Sequence, residues 1–298
     1  MLKHKESYLG YKMTYTQVAY SRYGDWLNMF EKVIEKEEGD VTIDDILQFK
    51  LWLQASYAEK SVQFAMSIIR NYFNFLKMSN VPCINPQLIR LPKARANSYP
   101  AASLDDYQKI LQSIDEFMLQ NEFNYLQMHL IIRILGETGV RVSELTSIVI
   151  DNINLEKCGA IIDNKKNVNK RWIYWSSSTN ELLKRYLPLK EYLNLESGTL
   201  FINVKKKITS RVLTRRNVRE IIAMCCKKAG IDHIVPHSFR HGKAHNILEN
   251  GGNVADVQKT LGHLSPLSSM KYLQYSDKEH ERRSKMFLVE EKAGQVCL

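Results

Sequence analysis

Between Thr14 and Asn80 apolar residues return every three or four positions. Tyr23, Trp26, Leu27, Phe30, Val33 and Ile34 make one stripe, Ile46, Phe49 and Leu53 a second, and Val62, Ala65, Met66, Ile69, Tyr72, Phe73 and Leu76 a third. That period puts each set on one helical face, so a small bundle with a shared core is predicted. The second helix opens with "TIDDILQFKLWL", a capping box in which Thr42 reaches forward and Asp45 reaches back. All three stripes read as packing, with no chemistry in them.

The pattern breaks at residues 81–100, "VPCINPQLIRLPKARANSYP", which hold four of the seven prolines. Proline removes backbone donors and disfavours helix in the residue before it, so an extended linker is predicted there. It divides a helical front domain, 1–96, from a second domain, 97–298. Helical spacing resumes at "SLDDYQKILQSIDEF", with Ser103 as N-cap, and runs on through "YLQMHLIIRILGETGVRVSELTSI". The period then shortens. "GAIIDNKKNVNKRWIYW" reads as strand, polar turn and strand, with Ala160 to Ile162 pairing against Trp172 to Trp175. Helices follow at "TNELLKRYLPLKEYL" and "RRNVREIIAMCCKKAG", and a last helical stretch is predicted from His237 to Tyr272. The fold class is mainly α: a helical bundle plus a mixed α+β domain carrying a small antiparallel hairpin.

Composition adds one constraint. Lys and Arg number 42 against 32 Asp and Glu, a net charge of +10, which points to a polyanionic partner. The five cysteines are scattered, without a C-x-x-C pair, so neither a disulfide framework nor a thiolate metal site is expected. The first residues do not resemble a signal peptide and no run of eighteen apolar residues occurs. A cytoplasmic protein with no membrane association is the expectation.

Candidate chemistry concentrates in "HSFRHGKAHNILENGGNVADVQKTLGHLSPLSSMKY", residues 237–272. His237, His241 and His245 would share one face of a continuous helix, as metal ligands can. Arg240 and Lys243 set fixed positive charge among them, however, and no Glu stands where a zincin motif needs one. A phosphodiester fits better. Its transition state gathers negative charge on non-bridging oxygens, which Arg and His donors stabilise. Tyr272, nine residues after His263, could be the nucleophile. With a free-tyrosine pKa near 10, about a thousandth is ionised at neutral pH unless neighbouring cations favour the phenolate.

"HSFRH", "LGH" and a tyrosine nine residues on resemble the second conserved box of the tyrosine recombinases, the lambda-integrase-like strand-exchange enzymes, and "ETGVRVSEL" resembles their first box. The likeness spans about Thr14 to Lys285. It implies a SAM-like core-binding bundle in front, a catalytic domain behind, and site-specific cleavage and rejoining of DNA through a 3′-phosphotyrosyl link, with no cofactor, metal or nucleotide. Carried over, Arg141 and Arg240 clamp the phosphate, His263 is a further phosphate donor, His237 assists proton transfer, and Tyr272 attacks phosphorus. The general acid is a lysine on the hairpin: Lys166, with Lys165 as its rival. Glu144 would orient Arg141 or a histidine, and His241 would support the site. Tyr275 lies one helical turn past Tyr272 but has the wrong spacing from "LGH".

The same likeness implies double-stranded DNA sites as partners and a tetramer on two synapsed duplexes, with the tail after Tyr272 docking on a neighbour or on its own domain. Lys93, Arg95, Lys165, Lys170, Arg171, Lys205, Lys206, Lys207, Arg211, Arg215 and Arg216 are the expected DNA contacts. Two rivals share these features. A type IB topoisomerase-like enzyme would relax a one-site plasmid without a second site, and an inert DNA-binding regulator would form no covalent adduct. The short front end favours a simple two-domain, Xer-like layout over one with an added arm-binding domain.

Overall fold

The three apolar stripes meet in one core. A computed structural model describes residues 2–14, 19–93, 100–115, 121–163, 170–193, 198–203, 211–232, 234–263 and 267–270. It divides into two compact units, Met1–Asn97 and Ser98–Leu298. In the first, helices α1 (Lys5–Met13), α2 (Ala19–Ile34), α3 (Ile43–Ser56) and α4 (Glu59–Met78) bury Leu27, Phe30, Ile46, Phe49, Leu53, Ile69 and Phe73 together. Phe30 meets Phe49 edge to face at 4.9 Å, an arrangement favoured by the ring quadrupoles.

Helix α1 lies outside the predicted bundle. It is mostly polar, and only Tyr8 and Leu9 are buried, too few to show a period. Tyr8 packs on Tyr72 and Phe75 at ring distances of 5.4 and 5.6 Å, and Lys5 on Glu31 at 2.6 Å and Leu2 N, which donates to Glu31 Oε1 at 2.8 Å, add polar contacts.

The Thr42 capping box forms as expected. Asp45 N donates to Thr42 Oγ1 at 3.4 Å and Thr42 N to Asp45 Oδ2 at 2.8 Å. Burial pushes the Asp45 carboxyl up, but hydrogen bonds from Lys36 and Thr42 outweigh it and hold the group below its ordinary pKa. Thr42→Ala is expected to lower stability by about 1 kcal/mol in urea unfolding, the usual worth of such a cap.

The proline-rich segment departs from its reading as linker. Pro86–Leu88 form one turn of 3-10 helix, Ile89 is fully buried, and Val81, Cys83, Ile84 and Leu91 pack on the bundle core. The prolines do exclude α-helix. The apolar residues between them nevertheless bind the segment to the first unit, so a linker starts no earlier than residue 92.

The second unit surrounds a central helix. Helix α6 (Glu122–Thr138) buries Leu126, Leu130, Ile131, Ile132, Ile134 and Leu135, and is covered by α5 (Leu104–Asp115), α8 (Ser177–Tyr192), α9 (Arg215–Lys228) and α10 (Pro236–Glu249). The hairpin forms as β2 (Gly159–Asp163) and β3 (Lys170–Tyr174), antiparallel, with Ile162 opposite Arg171. A short strand, β1 (Ile153–Asn154), extends it to three, and β4 (Ile202–Asn203) pairs with β5 (Arg211–Val212). Both additions are two residues long, below what an alternation pattern can reveal.

The stretch from His237 is not one helix. Helix α10 ends at Glu249, α11 (Val254–Leu261) begins after a Gly-Gly turn capped by Asn253, and α12 (Leu267–Met270) follows. Asn253 Oδ1 accepts from Ala255 N and Asp256 N, satisfying two donors that a continuous helix would not have freed. Among the described residues, no helix is long and apolar enough to cross a membrane.

Candidate active site

Two left-handed glycines shape the site. Helix α6 ends at Gly139, φ +64°, and α11 ends at Gly262, φ +66°, where a side chain would be strained. The first turn delivers Arg141 and the second delivers His263. Each also admits a close neighbour. A Cβ at Gly139 would lie 2.6 Å from Leu261 and 3.2 Å from Lys243, and one at Gly262 would lie 2.6 Å from Nε of Arg171.

Arg240 joins the two turns. Its guanidinium, 1% exposed, donates from Nη1 to the Gly139 carbonyl at 2.8 Å and from Nη2 to the Leu261 carbonyl at 2.7 Å. A planar fork suits two acceptors on separate segments, which an ammonium could not reach together. Arg240 is thus a brace as well as a cation.

Glu144 performs a parallel task. It is buried, and its carboxylate accepts from Arg141 N at 2.8 Å, Arg141 Nη1 at 2.9 Å and Arg171 Nη2 at 3.0 Å. Arg141 itself caps α7 (Val142–Leu145) and keeps 37% of its side chain exposed. The expected orienting contact between Glu144 and Arg141 is therefore present. Its second cation was not anticipated.

His237 and His241 lie four apart on α10, as the sequence spacing indicates, with rings 4.8 Å apart and nearly perpendicular. His237 is exposed and His241 half-buried. His263 shares a 2.7 Å hydrogen bond between Nδ1 and the buried Ser269 Oγ, and Gln258 Nε2 donates to its carbonyl at 3.2 Å. Lys243, half-buried, crosses Gly139; burial pushes its pKa down, against the pull of Glu137. Among the described residues, no three His, Cys, Asp or Glu side chains are grouped to hold a metal ion.

Arg171 departs from its reading as an exposed DNA contact. Only 13% of its side chain is exposed, and it is turned to Glu144. The cause is the strand period: Arg171 shares a face with buried Ile173, while Trp172 and Tyr174 stack on the other at 5.9 Å. Lys170, Lys93, Arg215 and Arg216 are exposed, with Arg216 paired to Glu220 at 2.9 Å. Tyr272, Tyr275, Lys165, Lys166, Arg95, Lys205, Lys206 and Lys207 lie outside the described residues, as does the side chain of Arg211.

Sequence reasoning also missed Glu137, which closes α6 against the start of α8. Its carboxylate accepts from Ser176 N at 2.7 Å and Thr179 Oγ1 at 2.7 Å. Arg133, four residues back and 3.6 Å away, is a local sign of it, but its hydrogen-bond partners at 176 and 179 lie some forty residues away.

Known proteins resemble the chain throughout. The sequence model of the phage integrase family matches residues 103–279. Tyrosine recombinase XerC of Anoxybacillus flavithermus is 27% identical over 290 residues, covering 92% of each chain. Tyrosine recombinase XerD of Listeria monocytogenes is 30% identical over 229 residues, covering 74% of this chain and 73% of its own. Among solved structures, XerH site-specific recombinase bound to palindromic difH substrate in a post-cleavage complex superposes with a TM-score of 0.76 at 18% identity, covering 95% of this chain and 83% of that one. A lambda integrase dimer bound to a COC' core site gives 0.69 at 16%, covering 90% and 75%.

Proposed function

This chain belongs to the phage integrase family and is a tyrosine-type site-specific DNA recombinase; we propose that it cuts and rejoins duplex DNA with Tyr272 as nucleophile and Arg141, Arg240, His237 and His263 around the scissile phosphate. The observation that carries this reading is the Arg240 brace: one buried guanidinium bonded to the carbonyls of Gly139 and Leu261 draws the Arg141 and His263 turns onto one site. Fixed donors aimed at an oxyanion need no reorganisation as charge develops.

In the first step the Tyr272 phenolate oxygen attacks phosphorus and the P–O5′ bond breaks. Its electron pair leaves with O5′, which takes a proton from the hairpin lysine, Lys166 or Lys165. In the second, a 5′-hydroxyl attacks the phosphotyrosine, its proton returns to the lysine, and the phenolate departs. The broken bond's energy stays in the ester, so no nucleotide is consumed.

Lys93, Lys170, Arg215 and Arg216, with the basic residues 205–207, would supply phosphate contacts on the DNA arms. The unit 1–97 would bind the core site and 98–298 would carry the chemistry. Assembly as a tetramer on two duplexes is what the family resemblance implies; the lambda integrase neighbour is a dimer on its core site and the XerH neighbour is bound to a palindromic site.

The test is capture of the intermediate. Full-length protein is incubated with nicked duplexes bearing randomised arms, in chelator and without nucleotide, and then denatured. Adducts linked to 3′ ends with free 5′-hydroxyls are expected, and their yield should fall steeply with salt. Absence of adducts, or linkage to 5′ ends, would overturn the proposal.

A further inference from the structure

We propose that Arg171 is a positioning residue that pins the β2–β3 hairpin to the phosphate site, and so places the general-acid lysine. This rests on the reading of that hairpin as the acid's carrier.

Three contacts converge on Arg171. Its Nη2 donates to Glu144 Oε2, the oxygen that also accepts from Arg141 N. Its Nε edge lies against Gly262, the residue before His263, so closely that even a Cβ there would collide with it. Its backbone sits opposite Ile162, at the second pair in from the hairpin tip. One side chain therefore connects the strand leading out of the tip with the turn of Arg141 and the turn of His263. No other described hairpin residue is hydrogen-bonded to Glu144.

The energetics make this contact decisive for register. Arg171 Nε and Nη1 are buried with no acceptor among the described residues. Burying donors unpaired is unfavourable, so the guanidinium is tolerated in that position because Glu144 neutralises it. Slipping the hairpin by one residue would turn Arg171 to the opposite face and bring Trp172 or Lys170 against Glu144. The carboxylate would then hold one arginine and face a mismatched neighbour. A register defined this sharply sets the pairing of Asp163 with Lys170, the described residues on either side of 164–169.

Such a role predicts a specific kinetic signature. An alkoxide leaving group needs protonation, its conjugate acid being comparable with water at about 15.7. A thiolate does not, since thiols ionise near 8.5. Duplexes recovered in the capture experiment are therefore resynthesised with either oxygen or sulfur bridging phosphorus to the 5′ carbon at the scissile position. Full-length Arg171→Met is expected to form adduct at least about a hundredfold more slowly on the oxygen duplex, the scale of lost general-acid catalysis, and within about tenfold of the parent rate on the sulfur duplex. Arg171→Lys, which keeps charge but cannot span Glu144 and Gly262 as a plane, should fall between. Lys166→Ala and the Lys166→Ala Arg171→Met double variant should be equally slow on oxygen, because one effect acts through the other.

Equal losses on both duplexes would overturn the proposal and assign Arg171 to Arg141 or to folding alone, as would unchanged rates. If Arg171→Met does not fold by thermal unfolding, Arg171→Lys carries the same comparison. If Lys165 and Lys166 variants gain nothing from sulfur, the hairpin is not the acid's carrier and the parent reading fails instead.

Discussion

Protein carrying Tyr272→Phe is expected to form no covalent adduct with DNA while still binding the same duplexes. Phenylalanine keeps the ring and removes the oxygen proposed to attack phosphorus. The loss should be about six orders of magnitude, the scale met when a nucleophile is removed from a serine protease. Binding should change little, since affinity for a duplex comes mostly from cations on phosphates. Tyr275→Phe serves as the companion. It lies three residues on, and its substitution should leave adduct formation intact. Gel electrophoresis after denaturation measures the adduct, and a mobility shift in native gels measures binding. Adduct that survives Tyr272→Phe and disappears with Tyr275→Phe would move the nucleophile three residues along the chain.

Much of this was legible before any coordinates, for identifiable reasons. Helices α2 to α4 announce themselves because each hides one face, and the hairpin does so because two short apolar runs, 160–162 and 172–175, flank a polar turn. The candidate site residues are picked out by their spacing in two short boxes, which resembles a family pattern, and of these the turns of Arg141 and His263 are joined through Arg240. What escaped has physical causes. Helix α1 buries only Tyr8 and Leu9, too few to make a readable stripe, and adds an ion pair from Lys5 to Glu31. The segment 81–91 carries prolines and core residues together, and composition favoured the prolines. Glu144 is expected to serve one arginine and serves two, because a strand position 27 residues away cannot be read from spacing along a helix. Arg171 looked like one more surface cation, yet strand alternation already placed it beside Ile173 on the covered face.

Arg240 is the second case where one substitution should have a large effect, here through stability and chemistry together. Arg240→Met preserves most of the stem's volume and removes the guanidinium. The Gly139 and Leu261 carbonyls then lie buried without their donors, at a cost of about 1–3 kcal/mol each. A total near 4 kcal/mol corresponds to roughly 10 °C of melting temperature for a unit of this size. Arg240→Lys should lose about half of that, because one ammonium satisfies one carbonyl. The chemical loss follows a different order. An ammonium cannot present a planar pair of donors to two phosphate oxygens, so Arg240→Lys should still reduce adduct formation by about a hundredfold or more, well below its melting temperature. Calorimetry and adduct yield, measured on the same preparations, separate the two effects. If both variants melt with the parent protein, the brace contributes nothing to the fold, and the convergence of the Arg141 and His263 turns must have another cause. If Arg240→Lys melts lower but cleaves at the parent rate, Arg240 is a brace alone and the phosphate is held by Arg141 and the histidines.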